Sequence, residues 1–264
     1  MKPLATFKHI SSKNANYGDD EKYLTFAHDE FTMKPTLDTD GRLVPREDYR
    51  ISTLNCGEED FAFACMRSNL RYGKNQKRED VKSHHYIISF DPRDGPDNGL
   101  TVDKAQELGE RFCREQFPGH QAIVCTHPDG HNQSGNIHVH IVINSLRIEN
   151  VLLPYMDRPA DTKAGCKHRC TDAAMEYFKS EVMELCHEAG LYQIDLLNGS
   201  ANRVMRIISV PSWSRSSGCP AKPQSADTRS VWHRLKSGWE SLTVCLSAFM
   251  RPMWLSASRM NSSL

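Results

Sequence analysis

The sequence predicts an α+β fold: a central antiparallel sheet with flanking helices, followed by an irregular C-terminal tail. Three observations carry this. Residues 137–144 alternate Ile137, Val139, Ile141 and Ile143 with His138 and His140, the period-two pattern of a half-buried strand. Further β-rich runs lie at 83–90 (SHHYIISF) and 120–126, and helical apolar spacing at 101–117 and 171–189. The order strand, helix, strand, strand, helix suits an antiparallel sheet, with the helices mainly on one face and the histidines on the other.

In chain order, Asp19, Asp20 and Glu21 are carboxylates favoured in a helix's first turn, which places Tyr23 near the start of a helix or at a strand-to-helix turn. Residues 31–56, broken by Pro35, Asp40-Gly41 and Pro45, read as irregular. Phe61, Ala64, Cys65 and Leu70 form an imperfect apolar stripe over 58–70, closed by Tyr72-Gly73. Asp91-Pro92 stops the strand at 83–90. Thr101 caps the helix at 101–117 and Pro118-Gly119 ends it, while Gly190 is the C-cap of the helix at 171–189. The last 64 residues hold all four tryptophans and fourteen serines with no sustained period. The chain therefore divides into a domain at 1–199 and an atypical Ser/Trp-rich basic tail at 200–264, either disordered, partner-binding or out of frame.

A chain of 264 residues with 39% hydrophobic content can bury a sizeable core. No apolar run approaches the roughly 18 residues that span a bilayer, so no membrane insertion is expected. The opening MKPLATFKHISS lacks the apolar stretch of a secretory signal. Nine cysteines without framework spacing fit a reducing cytoplasm. Cys166 and Cys170 flank His168, but C-x-H-x-C lacks the second ligand pair of a zinc site and reads as structural. The net charge is zero yet uneven: the tail from 201 carries nine cations and two acids, leaving a net of −7 on residues 1–200. Any nucleic-acid contact must come from local focusing, and one basic cluster, Arg67, Arg71, Lys74, Lys77, Arg78 and Lys82, is the candidate DNA-binding surface against the plainer reading of a solvated charged face.

His138 and His140 share one face of their strand. If the run at 121–126 pairs with it as a neighbour, His127 returns beside them, and three neutral imidazoles converge as a metal site with open positions. Asp129 is spaced to accept a ligand N–H and fix its tautomer. His131, in the connecting loop, is a lower-ranked rival ligand. Two histidine chemistries are set aside. A metallo-β-lactamase-type site wants H-x-H-x-D-H, where this chain continues Ile141, Val142, Ile143. A histidine-triad hydrolase wants a third alternating histidine, where it has Val142.

H-x-D followed by H-V-H-I-V-I-N resembles the third motif of relaxases, the conjugative mobilisation nucleases of the HUH endonuclease superfamily, and Lys22-Tyr23-Leu24-Thr25 resembles their N-terminal tyrosine segment. The resemblance covers about residues 1–199. It implies metal-dependent, strand-specific nicking of DNA at a plasmid or transposon transfer origin through a covalent 5′-phosphotyrosine. Tyr23 would be the nucleophile, with Asp129 assisting and Tyr17, in the turn-like Asn16-Tyr17-Gly18, as the competitor. His127, His138 and His140 would be the metal ligands. The implied cofactor is a divalent metal ion, Mg²⁺ or Mn²⁺. The implied partners are single-stranded or locally melted DNA, accessory mobilisation proteins and a coupling protein, in a bacterial cytoplasm. Two alternatives stay open: an HUH replication initiator or transposase, against which the tyrosine upstream of the histidines argues, and a non-catalytic DNA-binding remnant.

Overall fold

A computed structural model describes residues 6–197 apart from 30, 31, 33, 96–98, 129–135, 193 and 194. Asp129, His131 and the tail from 200 lie outside the described residues. The described chain runs β1 (Thr6–Ser12), α1 (Tyr17–Thr25), β2 (Arg50–Leu54), α2 (Phe61–Tyr72), β3 (Ser83–Ser89), α3 (Val102–Gln116), β4 (Ala122–His127), β5 (His138–Asn144) and α4 (Asp172–Glu188). The five strands form one sheet in the order β1-β3-β5-β4-β2, with every pairing antiparallel. The α+β expectation is met.

Every residue of β5 is buried, so both faces of the sheet centre are covered. Val139, Ile141 and Ile143 face one way with Val124, Tyr86, Ile88 and Phe7, beneath Phe112 of α3 and Phe178 and Val182 of α4. The opposite, histidine-bearing face also carries Ile123, Cys125 and Val142, beneath Tyr17 and Leu24 of α1 and Phe61, Ala64 and Cys65 of α2. The expectation that helices gather mainly on one face is therefore wrong: two lie on each. Val142 and Cys125 share the histidines' parity, and an apolar group left on that face needs its own cover.

Thr101 caps α3 as expected, whereas α2 opens at Asp60 rather than at 58 and α4 has Ala189, one residue before Gly190, as its C-cap. Thr101 accepts from the Lys104 N–H, Thr171 from that of Ala174, and Asp60 from that of Phe63. Gly73 ends α2 with φ 59°, a conformation that favours glycine. Helix α1 departs from expectation. Asn16 caps it three residues before Asp19, so Asp19 and Asp20 do lie in the first turn, but the helix is only nine residues long and Tyr23 falls in its last turn rather than near the start. Strands β1 and β2 are absent from the sequence reading. Both are edge strands, each with a single ladder and largely exposed side chains, so neither needs a strong apolar alternation.

Tyr17 is not the exposed competitor the turn-like sequence suggests, for it is only 3% exposed. Its hydroxyl donates to the Lys82 carbonyl (3.0 Å) and accepts from Asn69 Nδ2 (2.7 Å). Asn75 Nδ2 donates to Asn69 Oδ1 (3.0 Å) and Ser145 Oγ (3.1 Å), extending a buried network that pins the start of α1 and the end of α2 to the sheet. Helix α3 crosses β5 at Gly109, where an added Cβ would meet Val139 Cγ1 at 2.4 Å. Gly109→Ala is therefore expected to destabilise the domain by about 1–3 kcal/mol through overpacking, read as a thermal melt several degrees lower; an unchanged melt would show that the helix can lift without cost.

A second group of imidazoles lies on the face of the sheet opposite His138 and His140. His9 Nε2 meets His84 Nδ1 at 2.9 Å, and His168 Nε2 meets the Tyr86 hydroxyl at 2.7 Å, with its ring 5.4 Å from that of His120. Burial first, then the charge expected on neighbouring His9 for His84 and on Arg147 for His120, pushes both down to about 3. An unfolded chain would take up protons on these groups from about pH 6.5 downward. Stability is thus full above that value and is lost as pH falls towards 3, by about 1.4 kcal/mol per pH unit for each such histidine. Melting temperatures measured at pH 7.5, 6 and 5 should fall progressively, and a flat profile would contradict the neutrality of these rings.

Candidate metal centre

The β4–β5 ladder sets the site. His127 lies directly opposite His138 and Cys125 opposite His140, so strand alternation brings three imidazoles to one face. Ring centres are 5.2 Å apart for His127–His138, 4.9 Å for His127–His140 and 4.8 Å for His138–His140. One ring nitrogen from each lies within 4.8 Å of the others, and all three residues are buried.

The remaining ring nitrogens are engaged. His127 Nε2 donates to the Leu24 carbonyl at 2.7 Å and His138 Nδ1 to the Asn136 carbonyl at 3.2 Å. A carbonyl only accepts, so these nitrogens carry the protons, and the ring lone pairs sit on Nδ1 of His127 and Nε2 of His138. His140 Nδ1 meets His85 Nε2 at 2.8 Å. His127 Nδ1 is buried without a hydrogen-bond partner, an arrangement that costs free energy unless something electrophilic accepts the lone pair. Burial, followed by the charge of Arg46, pushes His127 down to about 3. Burial also holds His140 well below its usual range. Both rings are neutral at physiological pH, the form that ligates metal. The residues present therefore fit a divalent cation. Imidazole donors suit Zn²⁺, Mn²⁺ or Co²⁺, while Mg²⁺ favours oxygen.

Tyr23 stands over this group from the last turn of α1. Its ring centre is 6.0 Å from that of His140, 6.1 Å from His85 and 5.0 Å from His28. The adjacent residue supplies the tether: Leu24 is fully buried, and its carbonyl is the acceptor for His127. The structure thus brings Tyr23, His127, His138 and His140 together.

Arg67, Arg71, Lys74, Lys77 and Arg78 are exposed on α2 and the loop after it. Arg67 pairs with Glu59 at 3.0 Å, and the Arg71 guanidinium lies 5.9 Å from the Tyr72 ring centre. Lys82, grouped with them by sequence, is buried and donates to the carbonyls of Lys77 and Asp80. Sequence reasoning missed three residues. His85 sits in a visible SHHY run, but its role depends on the non-local β3–β5 register. His28 and Arg46 come from the stretch around 26–46, where the bridge Phe26↔Pro45 and the Arg46 N–H to Thr25 carbonyl bond (2.9 Å) fold a strap back over the end of α1.

A family model described as "Relaxase: MobA/VirD2-like, nuclease domain" matches residues 44–191, a segment that includes all three histidines and starts after Tyr23. Two curated proteins from Staphylococcus aureus, both described as protein rlx, are similar in sequence. One is 28% identical over 140 residues, 53% of this chain and 36% of the relative; the other is 34% identical over 99 residues, 37% and 26% respectively. The match thus spans about a third of the first relative's length and about a quarter of the second's. A structure solved in work on the molecular basis of vancomycin resistance transfer in Staphylococcus aureus superposes with a TM-score of 0.43 and 12% identity, covering 74% of this chain and 98% of that one.

A cation that binds only the folded trio should raise the melting temperature progressively with its concentration. Mn²⁺ or Co²⁺ is expected to stabilise the wild type and to leave His140→Ala unmoved. An equal shift in both would place the cation elsewhere.

Proposed function

Because the chain belongs to the MobA/VirD2-like relaxase nuclease family, we propose that it is a DNA nicking-closing enzyme that cuts one strand, single-stranded or locally melted, at the transfer origin of a conjugative plasmid or transposon. The observation that carries this reading is the Tyr23 ring seated 6.0 Å from that of His140, beside imidazoles whose ligand atoms lie within 4.8 Å of one another. Recruitment of accessory mobilisation proteins and a coupling protein belongs to the same proposal. Among the described residues, no helix is long and apolar enough to cross a membrane.

His127, His138 and His140 would hold the divalent ion, Mn²⁺ or Mg²⁺, which supplies Lewis-acid charge beside the scissile phosphate when bound. The chain's own groups do the rest. The Tyr23 oxygen attacks phosphorus in line, the bond from phosphorus to the 3′ oxygen breaks, and a 5′-phosphotyrosine and a 3′-hydroxyl result. An unperturbed tyrosine titrates at about 10, so its proton needs an acceptor. His28 suits that role, because its Nδ1 donates to the Phe26 carbonyl at 2.9 Å and leaves Nε2 as a lone pair on a ring beside Tyr23. The departing 3′ oxygen takes a proton from solvent. Arg46, whose charge reaches both His127 and His140, offers a guanidinium to the phosphate. Arg67, Arg71, Lys74, Lys77 and Arg78 would add salt-sensitive contacts to the strand's backbone. The phosphoester is retained throughout, so attack by the 3′-hydroxyl on phosphotyrosine rejoins the strand without ATP.

An oligonucleotide carrying the transfer origin should form a covalent adduct with the wild type and none with Tyr23→Phe. His140→Ala should reduce it by on the order of 100-fold or more. Chelator should abolish the adduct and Mn²⁺ restore it. An adduct that persists in Tyr23→Phe moves the nucleophile to another residue.

A further inference from the structure

His85 lies outside the trio yet touches it. On β3, Ile87 pairs with His140 and His85 with Val142, so His85 stands diagonally across the ladder from His140 on the same face. Its Nε2 approaches His140 Nδ1 at 2.8 Å, with ring centres 5.0 Å apart. Its other flank meets the Tyr23 ring at 6.1 Å in an edge-to-face arrangement. Two neutral imidazoles joined by one hydrogen bond hold a single proton between them, and where it resides decides which nitrogen of His140 keeps a lone pair. With the proton on His140 Nδ1, Nε2 of His140 is a ligand. With the proton on His85 Nε2, His140 is protonated at Nε2 and lost to the trio.

Resting on the reading of the trio as metal ligands, we propose that His85 is the positioning residue that fixes His140 in its Nδ1–H tautomer by accepting that proton at Nε2. The same contact sets the spacing between His140 and the Tyr23 ring. For His127 and His138 the equivalent acceptors are the main-chain carbonyls of Leu24 and Asn136. At His140 the corresponding position is taken by a side chain, the His85 ring, at 2.8 Å from Nδ1. A carboxylate is the common choice for that role, but it would add a negative charge beside an anionic substrate. An imidazole accepts the bond and leaves the cation's charge undiminished towards a phosphate diester.

The test is Co²⁺ affinity of the full chain, followed by its visible absorption, together with the ¹⁵N shifts of the His140 ring without metal. His85→Leu removes the acceptor, and His85→Gln replaces it with an amide oxygen. His85→Leu is expected to weaken Co²⁺ binding about 10- to 100-fold and to mix the His140 tautomers. His85→Gln should return affinity to within a few-fold of wild type with Nδ1–H restored. His140→Ala is the control for the underlying reading. If it binds Co²⁺ as wild type does, the trio is not the site. If it loses Co²⁺ while His85→Leu keeps wild-type affinity and a single His140 tautomer, the trio stands and the role of His85 is overturned. Should His85→Leu fail to fold, His85→Gln decides alone: a folded variant with lost affinity overturns the proposal, and one with wild-type affinity and Nδ1–H on His140 supports it.

Discussion

The register between β4 and β5 is the constraint on which the rest depends. With His127 opposite His138, one face of two adjacent strands presents three imidazoles. A slip of one residue would turn His138 and His140 into the core beneath α3 and α4, and Val139 and Ile141 towards Tyr23. What forbids the slip is packing on the far side. Val139, between the two histidines, is clamped where α3 comes closest to the strand, a spacing that only a glycine at 109 permits. The histidine geometry is thus decided by apolar contacts through the thickness of the sheet.

The second requirement is that α1 hold still. A nine-residue helix with three acids and one buried leucine has little to keep it helical alone. It is fixed at both ends instead. At its start the Tyr17 hydroxyl enters a network of buried amides, each group of which would be expensive to strand unpaired. At its end Leu24 fills the apolar cluster under the helix while its carbonyl receives the His127 proton. That one bond acts twice, selecting the nitrogen His127 leaves available and fixing the height of Tyr23 above the trio.

How much of this is legible in the residues follows from where the information lies. The central strands, α3 and α4 are legible because burial on a strand or helix face writes a period into the residues themselves. The approach of His127 to His138 and His140 is legible because strands consecutive in sequence usually pair as neighbours. Edge strands β1 and β2 leave too weak a pattern, and β2 lies inside a stretch whose prolines and glycine speak louder than RISTL. Tyr17 misleads for a related reason: a turn-like neighbourhood describes the backbone, whereas its ring packs with Phe61 and its hydroxyl bonds Lys82, Asn69 and Asn144, all far along the chain. His85 is hidden in the same way, since its partner stands 55 residues away and only the strand order brings them together.

The charge distribution bears on the proposed function, under which an anionic strand would approach a domain with a net charge of −7 over residues 1–200. Net charge acts through water and salt and fades beyond roughly 10 Å, whereas groups inside a buried site act at contact through a medium that screens them poorly. The trio proposed to hold a cation consists of three buried imidazoles oriented by neutral acceptors, so nothing among them would cancel that cation's charge. Arg46 adds its own near His127 and His140. A phosphate that reaches Tyr23 would therefore meet a positive field that the body of the domain does not advertise. On the proposed reading, DNA would be bound weakly in general and held firmly only where a backbone can bend into the site, as a nuclease acting at one position on a long molecule requires.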